Sequence, residues 1–178
     1  MNRVTPARTF LQPSLAALLA GTCLAATAQT AAPAASPAVR SERTVSLALA
    51  NQIAAGAVAS CAAGGYAVTA TVVDRSGTVR AVHRADNAGP HTLGASERKA
   101  FTSASARANT LAMIENAQKN PAAANLVNIP GFLLLGGGVP IRAGNEVIGA
   151  VGVGGAPGGH LDEQCAVAAL DSVKAQLQ

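Results

Sequence analysis

AVTATVVDRSGTVRAVHR, residues 67–84, is the stretch that decides the fold class. Val68, Thr69, Thr71, Val72 and Val73 are β-branched and lie in an alternating run, the pattern of a strand over Ala67–Asp74. Asp74-Arg75-Ser76-Gly77 follows as a tight turn, with glycine where a positive φ is needed. Thr78–Arg84 then returns as a second strand. Two strands joined by so short a turn pair antiparallel, so the sheet begins as a hairpin.

Working outward, Val45–Ala63 carries Leu49, Ile53, Ala57, Val58 and Cys61 at helical spacing and stops at Gly64-Gly65. On the other side, Ala85–Gly94 reads as a polar loop holding Gly89, Pro90 and His91. Ala95 to about Asn109 reads as a helix anchored by Phe101, and Leu111–Lys119 as a second helix stopped by Asn120-Pro121. Phe132–Leu135 reads as a short apolar strand before the Gly136-Gly137-Gly138 turn. Val139–Arg142 returns, Ala143–Asn145 turns again, and Glu146–Val153 forms a last strand. Leu161–Leu177 closes the chain as a helix whose first turn carries Asp162 and Glu163, suited to the positive end of the helix dipole. Hairpins with helices over at least one face make an α/β chain of the α+β kind.

The ends and the composition bound the function. Arg3 and Arg8, the uncharged run Leu15–Ala26 and the small residues Ala26-Thr27-Ala28 form a secretory signal pattern with cleavage before Gln29. The run is too short to span a membrane. Residues 29–43, rich in Ala, Pro, Ser and Thr, read as a disordered linker, which leaves 44–178 as one domain. The chain has thirteen basic and nine acidic residues. Removing Arg3 and Arg8 leaves eleven against nine, a net charge near +2. The domain's only aromatics are Tyr66, Phe101 and Phe132. Without stacking platforms or a basic stripe, nucleic acid is excluded as a partner. Cys61 and Cys165 remain after cleavage, an even number in an oxidising compartment; the residues alone allow either a disulfide or two buried thiols.

The glycine-rich run Gly149–Gly159 lacks the dinucleotide fingerprint, since Pro157 stands at its third glycine position, and no phosphate-loop lysine follows. Its glycines are better read as places where backbone approaches a helix or a ligand. No two histidines have the i, i+4 spacing of a helical metal site, and there is no Cys-x-x-Cys or Gly-x-Ser-x-Gly motif. His83 reads as a surface residue of a strand, and His160 as the residue before the last helix. His91 follows Gly89-Pro90, which stiffens the backbone and presents the imidazole, a group able to ligate haem iron.

Taken in order, several stretches resemble the GlcG/HbpS family of haem-binding-type domains, also found at the C-terminus of PduO. They are residues 65–77, Arg84–Thr92, Lys99–Thr102, Leu135–Ile141, Glu146–Gly159 and Asp162–Ala166. The resemblance runs from about residue 45 to the end. It implies a profilin-like five-stranded antiparallel sheet with flanking helices, the first and last packed side by side. Under that fold Cys61 faces Cys165 and a disulfide joins them. It implies homo-oligomers, and haem binding in some members, although this chain has few aromatics for a haem pocket.

The expectation is therefore a periplasmic or secreted module, not a conventional enzyme, that binds haem or a similar anionic small molecule. Its site would join Arg84, the loop Gly89, Pro90, His91 and Thr92, the helix residues Lys99 and Thr102, and the turn Gly136, Gly137 and Gly138. His91 would ligate iron or donate a hydrogen bond, and Arg84 and Lys99 would pair with carboxylates. No other cofactor is indicated. Two alternatives stand: a small enzyme of haem-degrading, hydrolase or isomerase type using His91 as base, and an extracytoplasmic partner of a sensor or uptake system.

Overall fold

A computed structural model of the chain describes residues 37–178. The signal segment 1–28 and most of the linker lie outside the described residues. Ser41–Gln178 form one compact unit. Its elements are α1 (Leu47–Ala63), β1 (Thr69–Asp74), β2 (Val79–Arg84), α2 (His91–Ala106), α3 (Thr110–Lys119), the single turn α4 (Pro121–Ala124), β3 (Gly138–Ala143), β4 (Glu146–Gly154) and α5 (Gly159–Ser172). None of the described helices is long and apolar enough to cross a membrane.

Local signals account for the boundaries. Ser46 caps α1, its side chain accepting from Leu49 N–H at 3.2 Å. The β1–β2 turn is pinned by Asp74, whose carboxylate accepts from Ser76 and Thr78 N–H. The strands form one antiparallel sheet in the order β2-β1-β4-β3, with β1 and β4 central.

α1 and α5 cover one face with an apolar core: Ala50, Ile53, Ala57, Cys165, Ala166 and Ala169 against Ala70, Val72, Ile141, Val151 and Val153. The two helices run antiparallel. Gly56 lies against Ala169, and Cys61 and Cys165 are bonded as a disulfide with their Cα atoms 5.4 Å apart.

α2 lies on the other face, where Ala100 and Ala104 pack on Val73 and Ala150 and the rest of the contact is polar. Thr92 Oγ1 pairs with Thr69 Oγ1 at 2.7 Å and Ser96 Oγ with Thr71 Oγ1 at 2.8 Å, all four residues buried. The helix sits unusually close. A Cβ at Gly152 would fall 2.1 Å from Ser96 O, and one at Gly138 would fall 2.4 Å from Lys99 O. These glycines face each other across β3 and β4, so together they form the trough that α2 occupies.

Two expectations need correcting. The sheet has four strands, not five, because Phe132–Leu135 does not pair with a neighbour. Side chains take its backbone groups instead. Leu133 N–H donates to Thr102 Oγ1, Phe132 O accepts from Arg98 and Leu135 O from Thr110 Oγ1. With these groups satisfied, the segment needs no ladder. The second correction concerns α2, which starts at His91 rather than near Ala95. Pro90 has φ −61° and ψ −30°, already helical, so the proline begins the helix a turn earlier and Gly94 is carried inside it.

Candidate functional site

The loop from β2 to α2 is built to expose one imidazole. Ala85 N–H donates to Val68 O, extending the strand pairing, and the chain reverses at Asn87, a non-glycine residue with φ 63°. Arg84 reaches across the reversal and donates to Ala88 O. Thr92 is the anchor: its hydroxyl bonds Gly89 O at 2.7 Å as well as Thr69. His91, the first residue of α2, is exposed, with its ring laid over Gly89. A Cβ at position 89 would come within 2.8 Å of the ring, so glycine is what lets the imidazole lie there.

Of the ten residues expected at the site, Arg84, Gly89, Pro90 and His91 share this surface, and Thr92 holds it from beneath. Val82 and Leu93, 42% and 46% exposed, border it with apolar surface. Val82 and Arg84 lie on the sheet face that carries α2, because they stand opposite Thr71 and Thr69.

The other five residues form a separate, buried group. Lys99 is eight residues along α2 from His91, about 12 Å. It is 1% exposed, and its ammonium donates to Asp162 Oδ2 at 2.7 Å and Val153 O at 2.9 Å. Its carboxylate partner is therefore internal. Gly137, at φ 123°, roofs this pair; a Cβ there would stand 3.1 Å from Lys99 Nζ and 2.5 Å from Val153 O. Gly138 N–H donates to Thr110 Oγ1, Gly136 packs on Gly159, and Thr102 donates to Arg98 O. Burial raises the Asp162 pKa above the ordinary carboxylate value. The Lys99 charge and hydrogen bond, with the backbone N–H groups of Ala156 and Gly155, oppose that rise.

Sequence reasoning missed two things here. Asp162 was legible only as a dipole partner, whereas it bonds α5 to α2 across the end of the sheet. His160 resembles His91 in its arrangement: it is the second residue of α5, and its ring lies over Gly158 as His91 lies over Gly89. The shared Gly-x-His spacing was the available signal. His160 lines a cleft of about 350 Å³ with Leu111 and Val167. His83, by contrast, bonds Asn51 at 3.2 Å.

The fold has known counterparts. Residues 45–171 match the family model described as haem degrading protein HbpS-like. The chain belongs to the HbpS-like family. Among solved structures, it is similar to a double mutant of Streptomyces reticuli HbpS, with 35% identity, 82% of this chain and 99% of the other covered, and a TM-score of 0.72. Klebsiella pneumoniae protein ORFY is similar at 29% identity, covering 79% and 98%, with a TM-score of 0.74. A haem complex of PduOC shares the fold at 20% identity, covering 72% of this chain and 94% of the other, with a TM-score of 0.65. No curated protein matches the chain.

Proposed function

We propose that this member of the HbpS-like family is an exported module that binds haem or a similarly planar, anionic small molecule at the start of α2. The observation that carries the reading is the family match over residues 45–171; the exposed imidazole at the start of α2 supports the choice of place. Haem bound there would bring the redox-active iron. The residues present suit such a group on an open surface. His91 would offer an exposed imidazole to hold the iron, Arg84 a guanidinium for a carboxylate, and Val82 and Leu93 apolar area for the macrocycle. Gly89 gives room for the ring of His91, and Thr92 fixes its backbone. Lys99, Thr102 and the triple glycine support the site by seating α2. The Cys61–Cys165 bridge suits a periplasmic or secreted location, and an open ligand surface suits a homo-oligomer in which a second copy covers the ligand.

Haemin titration of the mature protein tests this. A saturable Soret shift is expected, abolished by His91→Ala, weakened by Arg84→Gln and kept by His160→Ala. No shift in the parent protein overturns haem binding. Loss in His160→Ala alone moves the site to α5. The family's description favours one second reading, haem degradation with His91 as base. Soret bleaching with iron release that depends on His91 would select it over simple binding.

A further inference from the structure

Four arginines from distant parts of the chain meet at the far end of α2 from His91. They line a cleft of about 520 Å³ beside the β3–β4 turn: Arg43 before α1, Arg75 in the β1–β2 turn, Arg107 at the end of α2 and Arg142 on β3. The sixteen residue steps from His91 to Arg107 set the two places about 24 Å apart along α2.

The charges do not balance locally. Arg75 is paired with Glu146 at 2.6 Å and Glu42 at 3.4 Å. Arg107 and Arg142 have no carboxylate at ion-pair distance among the described residues. Arg43 donates to Ala143 O and to an oxygen of Gln178, the last residue of the sequence, and Arg142 donates to Arg107 O. A neutral carbonyl orients the Arg142 guanidinium without cancelling its charge. One of these cations suits the carbonyl end of α2. The other exceeds that need.

The backbone is also shaped for this placement. Arg107 adopts φ 56° and ψ 31°, the left-handed region that non-glycine residues rarely occupy. The β3–β4 pairing is irregular between Ile141 and Arg142, the kind of bulge that re-aims a side chain.

We propose that this cleft is a second binding site, for a small polyanion whose phosphoryl or carboxylate oxygens meet the oriented guanidinium forks. The volume lies within the range of small-molecule sites. Isothermal titration calorimetry of the full chain at fixed ionic strength tests it, with inorganic pyrophosphate in one arm and citrate in the other. At least one should bind saturably at one per chain, and the stronger names the oxyanion class. Arg107→Gly removes the guanidinium while suiting the left-handed turn, and it should weaken binding about tenfold or more. Arg142→Gln should do the same. Arg80→Gln, on the exposed strand β2, should change nothing. The proposal fails if neither anion saturates, if Arg107→Gly binds as the parent does, or if Arg80→Gln weakens binding equally.

Discussion

At the scale of single residues, Lys99 and Asp162 differ most from what their types suggest. Both are almost fully buried, and each is tolerable only because of the other. The carboxyl, its pKa raised chiefly by burial, holds a proton more tightly in the folded chain than in the unfolded one. Asp162 therefore adds most to stability below the ordinary carboxylate pKa, and that contribution is lost as pH rises through the raised value. Lys99→Met takes away the counter-charge and leaves burial unopposed, so its cost must itself depend on pH. We expect a loss of about 3–5 kcal/mol near neutral pH, shrinking under acid conditions where Asp162 is protonated. Urea unfolding of parent and variant across an acid-to-neutral series checks this, and a cost independent of pH refutes the assignment. Nothing in the sequence marked Lys99 as internal. Its type is rarely buried, and its partner lies 63 residues away.

At the scale of elements, the seating of α2 depends on which glycines touch it. Gly152→Ala would drive a methyl group into the helix backbone, where Ser96 O and Ala100 N lie 2.1 and 2.5 Å from the added carbon. The helix must lift, and a loss of at least about 1–3 kcal/mol is expected. Gly94→Ala sits on the exposed side of the same helix with nothing within 4 Å of the added carbon. It should stabilise by about 0.5–1 kcal/mol, since alanine is the better helix former. Equilibrium unfolding of the two variants should move in opposite directions. The close approach was legible in the glycines of the last strand, and the first hairpin in its alternation and turn. The start of α2 was misplaced because Gly89-Pro90 is as good a loop signal as a helix start. Phe132–Leu135 was misread because an apolar run resembles a strand whether a neighbouring strand or Thr102 and Thr110 take its backbone groups.

At the scale of the whole molecule, the Cys61–Cys165 bond ties the outer helix pair while enclosing nearly everything between. The cysteines are 104 residues apart, a span that holds all four strands and α2. Cross-linking so long a loop restricts the unfolded chain far more than the folded one. The chain-entropy model gives about 4.7 kcal/mol for a loop of roughly 100 residues, an upper expectation. The folded state does not need the bond for its geometry, because α1 and α5 also meet through Gly56 and Ala169 and through apolar residues on the sheet. The double variant Cys61→Ser, Cys165→Ser should therefore still fold, but with a much lower urea midpoint and an unchanged native circular dichroism spectrum. Dithiothreitol should bring the parent protein to the same midpoint and leave the variant where it was. A parent indifferent to reductant would mean that the two thiols never bond. The chain would then have lost the feature that best suits it to an oxidising compartment, and the exported haem-binding reading would rest on the family match alone.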